Sequence, residues 1–140
     1  RTTMISFHTE TLFELPNSKS IATWLSALIK QEGKKEGELS IVFCDDVFLH
    51  KLNLKFLNHD TLTDVISFDY CVGDQIHGEI FISIDRVREN ASEFNQTFDR
   101  ELSRVIAHGV LHFCGYNDKS APETALMRTK ETFYLEQLAL

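Results

Sequence analysis

The apolar residues of this chain change their spacing along the sequence, and that change limits the fold more than any other feature. Apolar runs of strand length occur four times, and segments with apolar residues at helical spacing occur five times. The predicted strands are Ile5–His8, Leu39–Cys44, Val65–Tyr70 and Ile76–Ile84. The predicted helices run from about Ser18 to Gly33, Asp85 to Phe94, Phe98 to Phe113 and Pro122 to Leu138, and a further one is capped by Asp45 or Asp46 and reaches Phe56. The predicted order is therefore β-α-β-α-β-β-α-α-α.

This order of elements favours a mixed sheet. Strands separated by a helix tend to pair in parallel, whereas the Gly73-Asp74 turn joins the last two strands as an antiparallel hairpin. The sequence therefore predicts an α+β fold in which a mixed four-stranded sheet packs against about five helices. Lys34–Glu38 is interpreted as a charged turn, and Asn58–Leu62 as a loop. The second helix is expected to bury Phe48, Leu49, Leu52 and Phe56.

A length of 140 residues suits one domain with one hydrophobic core. We expect residues 1–140 to form that domain, and residues 1–3, which precede Met4, to be a cloning remnant. No apolar run approaches the roughly 20 residues that span a bilayer, and the first residues do not resemble a secretory signal. Cys44, Cys71 and Cys114 are odd in number and widely spaced, which is typical of a reducing compartment. We therefore expect a cytoplasmic protein without a membrane partner.

The charge of the chain bears on its partners. The formal net charge is −7, whereas proteins that hold nucleic acid by charge alone are usually basic, because phosphate neutralisation supplies most of the affinity. Composition therefore slightly disfavours RNA. The basic residues of the second half allow two interpretations, a local patch around a site or solvated helix faces, of which the second is commoner. They are Arg86, Arg88, Arg100, Arg104, Lys119, Arg128 and Lys130.

The segment Glu101–Lys119 carries the clearest chemical signal. His108 and His112 lie four residues apart in a predicted helix, so their imidazoles lie one turn apart on one face. Gly115 can take the positive φ that ends a helix, and the chain then returns Asp118 toward the same side. Two imidazoles and one carboxylate can hold zinc at about 2.0–2.2 Å. The spacing predicts one zinc site with His108, His112 and Asp118 as ligands, and other divalent ions are compatible with it.

The same residues allow a simpler interpretation. Two histidines at this spacing occur by chance on many helices, and Asn117-Asp118 would then be an ordinary turn. In the catalytic interpretation, three protein ligands leave one position open for a water whose pKa falls to about 7. Zinc proteases carry a glutamate directly after the first histidine as general base. This chain has Gly109 there, so peptide hydrolysis is a weak alternative, and the sequence assigns no general acid or base.

Three blocks of the sequence resemble one family. HGVLHFCGYND at 108–118 is similar to the His-Gly-x-Leu-His-x-x-Gly-Tyr-Asp-His signature of the YbeY endoribonucleases, the bacterial rRNA maturation factors. LNLKFLNHDTLTDVISFDY at 52–70 resembles the family's Leu-Asn…Thr-Asp-Val-Leu-Ser-Phe block, and GEIFIS at 78–83 resembles its Gly-Asp-Ile-x-Ile-Ser strand. The blocks follow the family's order, so the resemblance extends from the first strand to the last helix.

The resemblance implies a zincin-like fold and a zinc-dependent endoribonuclease that cleaves single-stranded RNA. It also implies action on ribosomal particles, in rRNA maturation at the 3′ end of the small-subunit rRNA and in ribosome quality control. Two positions depart from the family pattern. Asp118 stands where the family usually has a third histidine, which makes the site less positive. Leu57 stands where the family usually has an arginine suited to phosphate, so the usual RNA contact is lacking.

Two further functions stay open at the level of sequence. One is a ribosome-associated binding factor with a structural metal, and the other is a zinc hydrolase of another substrate class, such as an ester or amide. A fourth protein ligand would favour a structural ion, and an open position would favour an enzyme. Cys114 is the nearest fourth candidate, but helical geometry turns it about 200° away from His112. Thr63, Asp64 and Ser67 fit either a place beside the metal cleft or a loop-to-strand junction.

Overall fold

The strands form where apolar residues alternate or run together, and they make one sheet. The computed structural model describes residues 4–57 and 63–138. Four strands lie in the order β1-β2-β4-β3. They are β1 (Ile5–Thr9), β2 (Lys35–Cys44), β3 (Val65–Asp69) and β4 (Gln75–Ser83). Because β2 is parallel to both β1 and β4, and β3 is antiparallel to β4, the predicted mixed sheet and its hairpin are confirmed.

Five helices complete the predicted order of elements. They are α1 (Ser18–Gln31), α2 (Asp46–Leu57), α3 (Ile84–Glu93), α4 (Phe98–Phe113) and α5 (Ala121–Leu135). The helix α3 begins directly after β4, with Ser83 as its N-cap. The Ser83 side chain accepts a hydrogen bond from the backbone N–H of Arg86 at 3.2 Å. Within residues 4–57 and 63–138, no helix has both the length and the apolar character needed to cross a bilayer. The α+β class expected from the sequence is confirmed.

The main core lies between one sheet face and the helices α1, α4 and α5. Fully buried aliphatic and aromatic side chains from all of these elements meet there, and each contributes about 1.5–3 kcal/mol by leaving water. They include Leu25, Leu28, Ile41, Phe43, Ile80, Ile82, Val105, Ile106, Val110 and Tyr134. A smaller cluster of Cys44, Leu49 and Ile66 lies under α2 on the other sheet face. The sheet therefore fixes α4 from one side only.

The charged segment Lys34–Glu38 is not a turn, as predicted, but the first part of a strand. The strand β2 begins at Lys35 and pairs with Gln75 of β4 before a register shift. Gly37 lies at that shift, and a Cβ there would be 2.4 Å from the carbonyl oxygen of Ile76. The strand begins four residues before the first pair with β1, Ile5 and Leu39, and the polar side chains of this overhang reach water, as those of a turn would.

The prediction that Phe56 is buried is wrong. Its side chain is 56% exposed, although its ring packs edge-on against Phe68 with centroids 5.7 Å apart. Leu49 and Asn53 are the buried residues of α2, because this helix meets only a narrow strip of the sheet. The predicted loop Asn58–Leu62 and the predicted remnant at residues 1–3 lie outside the described residues.

Candidate metal centre

The helix α4 begins with a side-chain cap and buries one continuous stripe. The Thr97 hydroxyl accepts a hydrogen bond from the backbone N–H of Arg100 at 3.1 Å, which satisfies one of the free donors of the first turn. The predicted buried stripe is confirmed, since all of its members are buried: Leu102, Val105, Ile106, Gly109, Val110 and Phe113. The two histidines lie beside this stripe, on the flank that faces α5 and solvent.

Two glycines allow α4 to approach β4 closely. A Cβ at Gly109 would lie 2.9 Å from Cδ1 of Ile80, and a Cβ at Gly78 would lie 2.5 Å from the ring of Phe113. Each glycine therefore makes room for a side chain of the opposite element. These two contacts fix the distance between α4 and the sheet. They thereby also fix the position of the side of α4 that carries His108 and His112.

The turn after α4 returns the chain toward the histidines. Gly115 has a φ of +109°, a conformation that glycine adopts without the steric cost met by other residues. The backbone carbonyl of Asp118 then accepts a hydrogen bond from Oγ1 of Thr124 at 3.1 Å. A complete capping box starts α5 immediately afterwards. Asp118 is therefore held between the end of one helix and the start of the next.

The structure brings together the three ligand atoms predicted from the sequence. Nε2 of His108 and Nε2 of His112 are 3.0 Å apart, and Oδ2 of Asp118 lies 3.2 Å from the first and 3.4 Å from the second. Tetrahedral ligands at zinc distances lie about 3.3 Å from one another. The three atoms thus have the spacing of one tetrahedral face. Across residues 4–57 and 63–138, no other group of three or more His, Cys, Asp and Glu side chains has the spacing to hold an ion.

The hydrogen bonds behind the two imidazoles fix which nitrogen carries a proton. Nδ1 of His112 lies 2.8 Å from the backbone carbonyl oxygen of Tyr116, which can only accept. Nδ1 of His108 lies 2.6 Å from Oε2 of Glu131, and an ionised carboxylate also only accepts. In the neutral imidazole, which is the form that binds a metal, both Nε2 atoms then present lone pairs toward the Asp118 carboxylate. Three electron-rich atoms this close repel one another unless a cation lies among them, so the donor set fits a divalent ion.

Glu131 of α5 is a buried carboxylate that the sequence did not predict as part of the site. Its side chain is 2% exposed, and it accepts a hydrogen bond from Nη1 of Arg104 at 3.1 Å. Arg104 also donates to both carboxylate oxygens of Glu101, at 3.0 and 2.6 Å. Burial disfavours ionisation of Glu131, but the hydrogen bond from His108 and the charge of Arg104 outweigh burial and lower its pKa. Glu131 is therefore ionised and orients His108.

The sequence of α5 contains a pattern that could have drawn attention to Glu131. The buried residues of this helix are Met127, Glu131, Tyr134 and Leu135, which share one face at helical spacing. A carboxylate on the buried face of a helix requires a partner, because an unpaired buried charge is strongly unfavourable. The partner His108 lies 23 residues away, so the pattern indicates the need for a partner without identifying it.

A further carboxylate, Glu32, whose side chain is 8% exposed, holds the turn after α4 from the end of α1. It accepts hydrogen bonds from the Tyr116 hydroxyl at 2.7 Å, from Nζ of Lys130 at 3.2 Å and from the Tyr134 hydroxyl. Burial disfavours its ionisation, but these three donors outweigh burial and lower the pKa of Glu32. Because the carbonyl of Tyr116 orients His112, Glu32 connects α1 and α5 to the turn that carries the candidate ligand Asp118.

Cys114 does not join the three candidate ligands. It is half-buried against the main core, and burial raises the pKa of its thiol to about 12. The group with ligand spacing contains His108, His112 and Asp118 without it, as helical geometry predicts. Leu57, which stands where the resembling family has an arginine, is the last residue of α2 and is 44% exposed.

The residues ahead of β3 make the contacts of a loop-to-strand junction. Oγ1 of Thr63 donates to the backbone of β3 at 3.3 Å, and the backbone carbonyl of Asp64 accepts from the N–H of Ser83 at 2.9 Å. Ser67 pairs with Ile80 across the hairpin, on the sheet face that α4 covers. These contacts favour the structural interpretation for Thr63 and Asp64 and place Ser67 beneath α4.

Comparisons with known proteins agree over nearly the whole chain. The family model for Endoribonuclease YbeY matches residues 4–139. The Endoribonuclease YbeY of Flavobacterium johnsoniae is 55% identical over 139 residues, which cover 96% of this chain and 100% of the relative. That of Flavobacterium psychrophilum is 57% identical over 128 residues, 91% of each chain. The solution structure of TM1509 from Thermotoga maritima is 29% identical with a TM-score of 0.69, and the match covers 96% of this chain and 88% of that chain.

Proposed function

The chain belongs to the YbeY endoribonuclease family, and from that premise we propose that it is a metal-dependent hydrolase that cleaves single-stranded RNA. We assign His108, His112 and Asp118 as the ligands of one divalent ion, with zinc as the first choice. The convergence of their three ligand atoms at tetrahedral spacing carries this proposal. We extend it to residues 1–140 as one domain that works in the cytoplasm.

A ribosomal substrate follows from the same premise. We propose that the protein acts on ribosomal particles, in maturation of the small-subunit rRNA at its 3′ end and in ribosome quality control. The exposure of the site supports a large substrate, since the side chain of Asp118 is 40% exposed and those of His108 and His112 are 18% and 28% exposed. A folded RNA particle can reach an ion at such a surface, whereas it could not reach an enclosed one.

The side chains of the protein contribute to this chemistry by holding the metal ligands in place. When bound, the ion supplies Lewis-acid chemistry, by activating water and by offsetting negative charge on a phosphodiester. Glu131 and the carbonyl of Tyr116 hold the two imidazoles through Nδ1, so that both Nε2 lone pairs face the same point. Two neutral imidazoles and the Asp118 carboxylate would leave a divalent site with one net positive charge, which favours a phosphate ligand.

The number of ligands favours an enzyme over a binding factor with a structural metal. Among the residues that the structure describes, no fourth His, Cys, Asp or Glu joins the three. Three protein ligands on one side and an exposed opposite side are typical of catalytic zinc sites, whereas structural sites use four. Gly109, in place of the protease glutamate, further disfavours peptide hydrolysis.

The decisive test compares the wild type with Asp118→Ala. We expect the wild type to bind about one equivalent of metal by elemental analysis and to cleave a single-stranded RNA oligonucleotide. The variant should lose at least about a hundredfold in cleavage rate, because two histidines alone hold an ion weakly. Asp118→His should restore metal binding, because histidine is the ligand that the resembling family usually has at this position.

The matched control is Asp74→Ala, which removes an exposed carboxylate from the hairpin turn far along the chain from the ligands. It should retain the metal content and the cleavage rate of the wild type. Equal cleavage by the wild type and by Asp118→Ala would identify a contaminating nuclease and refute the proposal. Metal binding without RNA cleavage, combined with hydrolysis of a model ester, would instead support a hydrolase of another substrate class.

A further inference from the structure

The metal-ligand face of α4 continues beyond the histidines as a row of basic residues. Arg100, Arg104, His108 and His112 follow one another at intervals of four residues, so they lie along one side of the helix. Arg100 is two turns from His108, a distance of about 12 Å along the helix axis. Any extended ligand that reaches the metal centre along α4 in this direction therefore passes the two arginines.

A cavity of about 310 Å³ opens at the arginine end of this row, between α4 and α5. That volume lies within the range of small-ligand sites, about 300–1,000 Å³. The cavity lining includes Phe94, Gln96, Arg100, Arg104, Arg128 and Thr132. Arg104 also contacts Glu131, whose other oxygen holds His108. The buried carboxylate of Glu131 therefore contacts the cavity through Arg104 and the candidate metal centre through His108.

The three arginines at the cavity exceed by one the two carboxylates that they contact, Glu101 and Glu131. Arg104 pairs with Glu101 and Glu131, both 2% exposed, and has no free charge for a ligand. Arg128 is 62% exposed and lies 3.6 Å from Glu131, a loose ion pair at most. Arg100 is half-buried and forms no ion pair within the described part of the chain, although acidic residues outnumber basic ones by 21 to 14. One positive charge in excess thus faces the cavity, where the accessible guanidinium groups are those of Arg100 and Arg128.

The other side chains at the cavity are of the kinds that bind single-stranded nucleic acid in proteins. Phe94 is 58% exposed at the rim, where a base can stack on its ring. Gln96 and Thr132 add hydrogen-bonding groups, and guanidinium groups bind phosphate with paired N–H donors. A free phosphate would engage the arginines but leave the exposed ring unused. The combination of arginine and exposed aromatic side chain therefore favours a nucleotide chain.

We propose that this cavity is a subsite for single-stranded RNA, in which Arg100 and Arg128 bind backbone phosphates and Phe94 stacks on a base. The proposal rests on the proposed nuclease function, because it places the flank of the RNA substrate along α4, a few nucleotides from the bond that is cleaved. It also supplies phosphate contacts to a chain that has Leu57 at the family's arginine position. Because the formal net charge of the protein is −7, RNA would be bound at this local surface and repelled elsewhere.

The test measures RNA binding in the absence of cleavage. A fluorescent 12-nucleotide single-stranded RNA is titrated with the full chain in the presence of a chelator, at several salt concentrations. Arg100→Gln combined with Arg128→Gln should weaken binding about tenfold and reduce the slope of log affinity against log salt by about 1.4, because each lost phosphate contact contributes about 0.7. Phe94→Ala should weaken binding severalfold without changing that slope.

The matched control is Lys19→Gln combined with Lys30→Gln, which removes two exposed charges from α1. It should bind RNA as the wild type does. Circular dichroism should show that all variants are folded, since Arg100 forms no ion pair in the described chain and Arg128 is largely exposed.

Unchanged RNA affinity and salt slope in the arginine variant would overturn the subsite, as would an equal loss in the lysine control. Competition by inorganic phosphate or by an acidic peptide as effective as competition by unlabelled RNA would also overturn it, in favour of a simple anion site or a protein partner. Cleavage by the metal-loaded wild type is measured separately. If the wild type fails to cleave while the arginine variant loses RNA affinity, the nuclease proposal fails and the subsite stands.

Discussion

His108 and His112 lie one turn apart on the same helix flank, yet the partners that orient them differ in kind. His108 donates to Glu131, a charged and buried side chain that arrives from α5. His112 donates to the backbone carbonyl of Tyr116, four residues along the same chain. The first contact requires α5 to be packed in place, whereas the second requires only the path of the turn. The two proposed ligands therefore depend on different levels of the structure.

The difference also has an electrostatic side. A carboxylate behind an imidazole raises its basicity and makes it a stronger metal ligand, while a neutral carbonyl mainly fixes its orientation. Side-chain substitution can remove the first support but not the second, because every residue at position 116 would retain a carbonyl. Substitution at Glu131 acts on the support of His108, whereas substitutions at Gly115 and Glu32 act on the turn that supports His112.

The largest effect is expected from Glu131→Ala. The change leaves His108 without its acceptor and leaves Arg104 with Glu101 alone, so we expect the free energy of unfolding to fall by about 3–5 kcal/mol. Metal affinity should fall by about 10–100-fold. Chelator competition and thermal denaturation measure the two losses. Glu136→Ala, at the exposed end of α5, is the control and should alter neither, and unchanged metal affinity in Glu131→Ala would refute the role given to this carboxylate.

A smaller effect is expected from Gly115→Ala, which acts on the His112 support. The residue has a φ of +109°, and no neighbouring atom lies within 4 Å of the position that an added methyl group would occupy. The change therefore adds backbone strain of about 1–2 kcal/mol without a clash. Relief of that strain would shift both the Tyr116 carbonyl and Asp118, and metal affinity should fall severalfold. Isothermal titration with zinc measures this loss.

Gly73→Ala provides the comparison for that experiment. Gly73 also has a positive φ, +58°, and open space around it, but it lies in the β3–β4 hairpin. Both variants should lose stability, and only Gly115→Ala should lose metal affinity. Equal metal affinity in the two variants would mean that the turn does not position the ligands.

The smallest effect is expected from Glu32→Gln, two contacts away from His112. Glutamine keeps an acceptor for Tyr116 but loses the charge that pairs with Lys130, so we expect a loss of about 1 kcal/mol in stability and less than about threefold in metal affinity. The pKa of Glu32 is lowered from its ordinary 4.5. Its stabilising effect is therefore complete above that ordinary value and is lost as the pH falls through the lowered pKa.

Denaturant unfolding at pH 7 and at pH 3 tests the sign of this effect. The stability difference between wild type and Glu32→Gln should be larger at pH 7 and should shrink at pH 3. Glu14→Gln, an exposed carboxylate, should show no such change. A difference that grows toward acid pH would mean that the neutral form of Glu32 is the stabilising one.

The features predicted from the sequence are those encoded over short distances. The helical stripe of α4 and the turn at Gly115 lie within a few residues of the histidines, and the three candidate ligands span only positions 108–118. The order of strands and helices follows in the same way, because apolar periodicity is local. The position of Asp118 near the histidines could be predicted because a turn at a glycine leaves the following residues few possible backbone conformations.

The supporting residues and two fold details depend on contacts between distant segments. Glu131 lies 23 residues from His108, and Glu32 lies 84 residues from Tyr116, so no local pattern pairs them. The charged start of β2 resembles a turn in sequence because its pairing with β4 is a tertiary contact. The exposure of Phe56 likewise depends on how far α2 extends over the sheet.

The reciprocal glycine contacts between α4 and β4 have a consequence for motion. Ile80 occupies the space left by Gly109, and Phe113 occupies the space left by Gly78. Sliding of the helix along the strand would drive both side chains into backbone, so register shifts of α4, which in other proteins take microseconds to milliseconds, are blocked here. If an ion is exchanged at the candidate site, we therefore expect the turn that carries Asp118 to move and the two histidines to keep their positions.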